Sequence, residues 1–402
     1  MLKKCIVLIN FFLIYGGLQA SMTDESVLVV GAGPAGLSMV KALQDSRYSH
    51  IDVIEQKPEM RFDGAGFAVP ANGDWALRKI GIDISSKAIP ISKMQFTDHA
   101  GGLLIEEDIS QIHAEGAQFY ALTRKDLMHV LLESIGSVQI QTGVTINSLS
   151  EEGDKVSVNL SNGTSKIYDW VIACDGVHSA LRATAHPEET AQFLNLFVWR
   201  TLIEAPEGLE MPVYMMGSGR LTLIYPMPHN KAYIYGHLVA SPEEALSLTS
   251  DPLRSFSETF ASFGGLMPAV IKTLRETQPY FYVHNMEHSH SVRFTSDQYK
   301  RVLFAGDAAH AFGPMLQNGA AQALEDAYVI EDLLAQPHGD IPSLLKAFED
   351  RRRERVQSIF DMSNQRIKVI SNAAQAEAVK EHIRTHGAPN VNGFKSIMKA
   401  NP

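Results

Sequence analysis

Residues 27–36 read VLVVGAGPAG. Val27 to Val30 form a short apolar run of strand type, and after the glycines Met39, Val40 and Leu43 recur on one face of a helix. Between these elements Gly31 allows a tight turn, Gly33 lets backbone approach a pyrophosphate, and Gly36 lets the helix pack closely on the strand. Pro34 and Ala35 open that helix, whose free N–H groups suit an anion. A second strand, Ile51 to Ile54, ends at Glu55, about twenty residues on, where a carboxylate can hold a ribose. The stretch predicts a βαβ unit that binds a dinucleotide.

A second stretch, RVLFAGDAAHAFGPMLQNGAAQALEDA at 301–327, completes the picture. Val302 to Ala305 read as a buried strand, and Gly306-Asp307 turns the chain at its end. A carboxylate at 307 can accept hydrogen bonds from sugar-alcohol hydroxyls. Beyond Pro314 the composition becomes helical, so a helix is expected to start near Gly319 and Ala320 with free N–H groups and a partial positive charge. His310, beside the turn, stands where an acid or base could act.

Composition bounds the function classes. The chain has 402 residues, 45% of them apolar and 20% charged, as a soluble globular enzyme does. A net charge of −10 argues against nucleic acid as a partner, since phosphate backbones repel an acidic surface. Two cysteines, Cys5 and Cys174, exclude a disulfide scaffold and suit a reducing compartment. The first 21 residues pair Lys3-Lys4 with an apolar run, Cys5 to Tyr15, and a small-residue site at Ala20-Ser21. Two readings are open: an export or tethering leader, or translation from Met22. The second is preferred, giving a cytoplasmic protein with no stable membrane span.

Along the rest of the chain, Thr123 to Asp126 resembles a helix cap ahead of Leu127, Val130, Leu131 and Ile135. Strands are expected at 138–141, 156–160 and 167–173, with a hairpin at Ser161-Asn162-Gly163. A separate sheet is expected over 193–240, a helix over 252–276, a strand over 280–294 and a long amphipathic helix over 343–371. The last twenty or so residues read as loosely held. His284 to His288 match an H-x-x-E-H pattern, but Tyr280 to Val283 read as strand, so no metal site is expected. The basic run Arg351, Arg352, Arg353 and Arg355, interleaved with acids, reads as a solvated helix face.

Taken together, Gly31 to Gly36, Cys174-Asp175-Gly176-Val177-His178-Ser179 with Arg182, and Gly306-Asp307 with Pro314 resemble the three motifs of the class A flavoprotein monooxygenases, the para-hydroxybenzoate hydroxylase type. The resemblance implies an α/β fold: a glutathione-reductase-like FAD-binding Rossmann domain with an inserted mixed-sheet substrate domain and a C-terminal helix. It places the FAD domain at 22–82, 119–185 and 291–340, the substrate domain at 83–118 and 186–290, and a C-terminal helical segment at 341–402. It implies noncovalent FAD, reduction by NADH or NADPH, and insertion of one atom of dioxygen into a small electron-rich, usually aromatic, substrate by way of a flavin C4a-hydroperoxide. Asp175 and Gly176 would serve both the FAD pyrophosphate region and the nicotinamide cofactor. Arg124 matches the family's arginine near FAD, and Gly66 lies in a loop like the one beside the flavin ring. One departure is plain: where many relatives have Gly-Gln-Gly after the proline, this chain has Gln317-Asn318-Gly319.

Walls for the substrate are expected from Phe197, Trp199, Met215, Leu223, Tyr225 and Tyr235. Arg200, Arg220 and His237 are the polar candidates, an arginine to clamp a carboxylate and a histidine to help remove a phenolic proton. No catalytic acid or base is singled out, and the oligomeric state is left open. Alternative readings are a tetracycline-inactivating flavin monooxygenase and a flavin-binding redox sensor. A tryptophan halogenase is disfavoured, because Val198-Trp199-Arg200-Thr201 lacks that family's motif.

Overall fold

The computed structural model describes residues 23–402 apart from 61, 63, 113, 114, 371, 373, 374 and 399–401. Residues 1–21, read as a leader or as a start-site artefact, therefore lie outside the described residues. The first strand, Thr23–Val30, sits inside a five-stranded parallel sheet, flanked by Tyr48–Glu55 on one side and Trp170–Ala173 on the other. Val302–Phe304 and Ile140–Thr142 complete its two edges. Val27, Leu28 and Val29 have no exposed surface, as a strand covered on both faces requires. Because the chain leaves the first strand to one side and later returns on the other, a crevice opens at the carboxyl ends of the strands.

A seven-stranded sheet forms the second layer, in the order Tyr282–His288, Gln192–Glu204, Lys231–Val239, Arg220–Met227, Val213–Gly217, Lys93–Asp98 and Leu103–Asp108. Its pairs are antiparallel except where Val213–Gly217 meets Lys93–Asp98. One face carries a cluster of Phe197, Trp199, Met215 and Ile234 under helices Pro252–Thr259 and Met267–Thr277. Gly236 permits that approach: a Cβ there would lie 2.8 Å from both Phe256 and Phe260.

Several sequence expectations need correction. The run 167–173 is two strands, Ser165–Tyr168 and Trp170–Ala173, divided at Asp169, whose carboxylate accepts bonds from the Ser26 N–H and hydroxyl and from Lys155. The helix expected over 252–276 is two helices, because Gly265 takes a φ of 54° and a Cβ on Gly264 would meet the Ala100 carbonyl oxygen at 2.1 Å. An additional helix, Pro242–Leu248, begins with a full capping box made by Ser241 and Glu244. The C-terminal segment is not loose. Helices Ala376–His386 and Pro389–Ile397 follow the long helix Ile341–Ile370 and bury Ile383, Val391, Phe394 and Ile397.

The basic run is likewise not a solvated face. Arg352 is fully buried and donates to Asp326 Oδ1 and Glu325 Oε2, both at 2.8 Å, and to the Gln322 side chain. Arg355 also holds Glu325, through two bonds of 2.7 and 2.8 Å. Alternating charges hid this, since a helix turns one arginine inward while its neighbours stay outside. Arg353 keeps its guanidinium partly exposed, beside Glu349. Replacing Arg352 by Met should cost about 3–5 kcal/mol, because two buried carboxylates lose a partner. Arg353→Met should cost at most about 1 kcal/mol. Urea unfolding of both variants checks the contrast.

Candidate active site

A cavity of about 1450 Å³ runs from the crevice of the parallel sheet to the other face of the seven-stranded sheet. Pockets for one small ligand span about 300–1,000 Å³, so this one has room for a dinucleotide and a second molecule. Gly31, Gly33, Pro34, Ala35, Glu55, Gly66, Arg124, Asp175, Gly176, Asp307, Pro314, Gly319 and Ala320 all line it, bringing together segments almost 290 residues apart. Gly36 and Gly306 shape the cradle without lining it. A Cβ on Gly36 would meet the Gly31 carbonyl oxygen at 1.9 Å, and one on Gly306 would meet Ala35 Cβ at 2.7 Å.

The chemistry of the cradle fits FAD. A Cβ on Gly33 would meet nothing within 4 Å, so the backbone there stands open to the cavity. Helices Pro34–Asp45 and Gly319–Leu334 both begin without a side-chain cap, which leaves their first N–H groups for an anion. Glu55 is held at the wall by the N–H groups of Ala32 (3.0 Å) and Lys57 (2.9 Å), with lone pairs to spare for ribose hydroxyls. Asp175 accepts from the Ala180 N–H through Oδ2, while its Oδ1 is buried without a hydrogen-bond partner. Asp307 is surrounded by protein, which pushes its carboxyl up from the ordinary range; yet its surface is exposed, through the cavity. Such a carboxylate is placed to accept from hydroxyls of a bound molecule.

Asp307 is aimed by the turn before it. Gly306 takes a φ of 57° and donates its N–H to Asp326 Oδ2 at 2.9 Å, and the same oxygen meets His310 Nε2 at 2.7 Å. Arg182 ties the other side, donating to the carbonyls of Ala308 and Ala309 and to Glu189. Burial pushes the Glu189 carboxyl up, but Arg293, Ser291 and Arg182 outweigh it and hold it at about 2. It therefore stays charged throughout the working range.

Strand alternation sorts the expected substrate residues. Leu223, Tyr225 and Tyr235 line the cavity, whereas Phe197, Trp199 and Met215 point to the opposite face and pack under helices. Arg220 also drops out: its guanidinium donates to the Thr259 carbonyl at 2.5 Å and to Ser262, away from the cavity. Arg200 remains, directly across from Tyr235 and Tyr282 on the neighbouring strands. Its guanidinium carbon lies 5.8 Å from the Tyr235 ring centre, and its Nε is buried with no hydrogen-bond partner. His237 lines the cavity and meets the Tyr235 hydroxyl at 3.2 Å, but burial holds it down at about 4. A ring that resists protonation this strongly is a weak base. His284, on a strand as expected, is held at about 3 by burial and by Arg200.

Other wall residues went unread in the sequence: Tyr214, Tyr233, Tyr282, Gln317, and Val379 and Ile383 from the penultimate helix. Alternation from Tyr235 could have pointed to Tyr233 on the same strand; nothing local marks the C-terminal pair.

Comparison with known proteins decides the family. Residues 24–363 match the FAD binding domain family. The chain belongs to it. Among curated relatives, 3-amino-4-hydroxybenzoate 2-monooxygenase PtnB3 of Streptomyces platensis is 28% identical over 355 residues, covering 85% of this chain and 87% of that protein. The FAD-dependent urate hydroxylase of Klebsiella pneumoniae subsp. pneumoniae is 27% identical over 398 residues, covering 93% and 99%. The solved structure of Klebsiella pneumoniae HpxO complexed with FAD and uric acid superposes with a TM-score of 0.85 at 24% identity, covering 94% of this chain and 97% of that one. This chain is thus an FAD-dependent monooxygenase with the aromatic hydroxylase fold. No helix among the described residues is long and apolar enough to cross a membrane.

Asp307→Ala should give a folded flavoprotein that purifies with little FAD. The ratio of flavin to protein absorbance checks this, and full occupancy would remove Asp307 from the cradle.

Proposed function

We propose that this monooxygenase takes electrons from NADH or NADPH and hydroxylates a small, electron-rich aromatic compound carrying an acidic group. The observation that carries the substrate class is Arg200. A guanidinium with an unsatisfied, buried Nε, set among tyrosine rings on the wall of the cavity, suits a planar anion that can accept in-plane bonds. Urate and an amino-hydroxybenzoate, named for the relatives above, are both small and ring-shaped.

FAD, when bound, supplies hydride acceptance and the activation of dioxygen. The residues that would hold it are Gly31, Gly33 and the helix start behind them at the pyrophosphate, Glu55 at the ribose, and Asp307 with Asp175 along the chain between. The uncapped N-terminus at Gly319 is available for negative charge at the ring's pyrimidine edge. Arg124, stacked 5.8 Å from the centre of Phe67, borders the Gly64–Gly66 loop. Arg200 orients the substrate, and the wall of Leu223, Tyr225 and Tyr235 keeps water away from it. His237, neutral above about pH 4, serves this wall as a hydrogen-bonding group and carries no charge at working pH. In sum, substrate, dioxygen, a reduced nicotinamide and a proton give hydroxylated product, oxidised nicotinamide and water. The protein works in the cytoplasm on this reading, where reduced nicotinamides are made.

Anaerobic bleaching of the oxidised flavin by NADH or NADPH tests the reading, with hydroxybenzoates, aminohydroxybenzoates, salicylate, urate and tetracycline added in turn. One acidic aromatic should accelerate bleaching, and Arg200→Gln should raise its KM by roughly 10- to 100-fold, as loss of a charge-assisted hydrogen bond does. Flavin that neither nicotinamide bleaches, with or without these compounds, defeats the proposal. Acceleration by tetracycline alone would move the substrate class to the antibiotic.

A further inference from the structure

Away from the cradle the cavity wall turns apolar. Met216, Leu221, Met315, Ile370 and Val379 pack against one buried apolar cluster, yet each is only partly buried, and each lines the cavity. Their covered sides meet the cluster, so their uncovered sides face the cavity. Three parts of the chain supply them: the paired strands Val213–Gly217 and Arg220–Met227, the short helical turn Pro314–Leu316, and the C-terminal helices Ile341–Ile370 and Ala376–His386. A wall of this kind favours an apolar occupant over water.

Sheet register places this wall relative to Arg200. Arg200 stands across from Tyr235, Tyr235 from Leu223, and Leu223 from Tyr214. The next row on the same face is Val198, His237, Leu221 and Met216. Neighbouring strands lie about 4.8 Å apart, so Leu221 stands about 10 Å, and Met216 about 14 Å, from the strand that carries Arg200. A benzoate held by Arg200 through its carboxylate does not reach that far. A ring extended by a short hydrocarbon arm does.

We propose that the substrate of this monooxygenase is an acidic aromatic compound that bears an apolar substituent of several carbons, seated between Met216 and Leu221 on the sheet and Ile370 and Val379 on the C-terminal helices. The inference rests on the substrate reading above, and it adds the class of the group at the end away from Arg200's anion. Hydrogen bonds at the acid end set orientation, while the apolar end adds affinity with each buried carbon and keeps water from that side. The C-terminal segment thereby takes part in substrate choice.

The holoenzyme is titrated with salicylates and 4-hydroxybenzoates that bear hydrogen, ethyl, butyl or hexyl at each free ring carbon, following the change in the oxidised flavin spectrum. In at least one series Kd should fall about two- to fourfold per added methylene until the space is filled. Met216→Gln and Val379→Thr nearly keep the shape of the side chain, so fold and FAD content should be retained. Each should weaken the butyl and hexyl members about fivefold or more, by placing a polar group against the arm, and leave the unsubstituted acid unchanged. Arg200→Gln should weaken every member by one common factor, since it acts on the other end. A Kd that falls with chain length in no series, while the unsubstituted acid binds, overturns the proposal and leaves the acidic aromatic reading standing; the space would then belong to the nicotinamide or to closure of helix Ala376–His386. A chain-length gain that either variant leaves intact also overturns it, because the arm then lies elsewhere. If no compound of any series changes the flavin spectrum or accelerates its bleaching, the substrate reading fails, and the inference with it.

Discussion

Asp326 is the point on which the site is hung. It has no exposed surface and takes three bonds at once, from the Gly306 N–H, His310 and Arg352. Burial pushes its carboxyl up, yet His310, Arg352 and these bonds win and hold it below the usual carboxylate range. Glu325, next to it, accepts from Asn72, from buried Arg352 and from the partly exposed Arg355. Such burial is tolerable because every charge in the cluster has a partner; an apolar replacement of the whole cluster could be as stable. What an apolar cluster could not do is hold the Gly306 N–H. Through that bond the long helix Gly319–Leu334 and the turn before Asp307 are kept in one register, so the carboxylate and the uncapped helix start reach the cavity together.

The second constraint is the two-faced sheet. Trp199 and Arg200 are neighbours in sequence and live in different environments: one under Phe256 and Phe260, donating its indole N–H to Ser255 at 3.0 Å, the other on the cavity wall. A shift of one residue in register would exchange them and place a guanidinium in an aromatic core. The long pairing of Gln192–Glu204 with Lys231–Val239, continuous from Leu196 to Glu204, makes that shift costly. The sheet therefore fixes Arg200 as firmly as the helix fixes Asp307.

Legibility in the sequence followed this division. The cradle could be read because its parts are local: a glycine fingerprint needs its strand and helix within a dozen residues, and Glu55 and Asp307 each stand at the end of a strand. Face assignment in the seven-stranded sheet could not, since Phe197, Trp199, Leu223 and Tyr225 are equally apolar and only tertiary packing says which side a helix covers. Arg220 failed for the same reason, two strands from Arg200 but turned toward Thr259. Arg352 was hidden by its charge. A run of arginines and glutamates reads as solvent-facing until the helix it packs on offers carboxylates of its own.

Gln317 shows the limit of reading a departure as a loss. Against relatives with glycine, the residue subtracts backbone freedom, and that subtraction was all the sequence could register. The fold adds what sequence spacing cannot: Tyr214 and Tyr225 lie on paired strands 103 and 92 residues away, and their hydroxyls arrive within reach of one amide. The strain of a left-handed φ of 51° is local, while the gain is a set of hydrogen bonds among buried polar groups. A left-handed glutamine is thus stable in this chain because the substrate sheet holds it, and the two tyrosines keep their orientation because the flavin-side loop holds them.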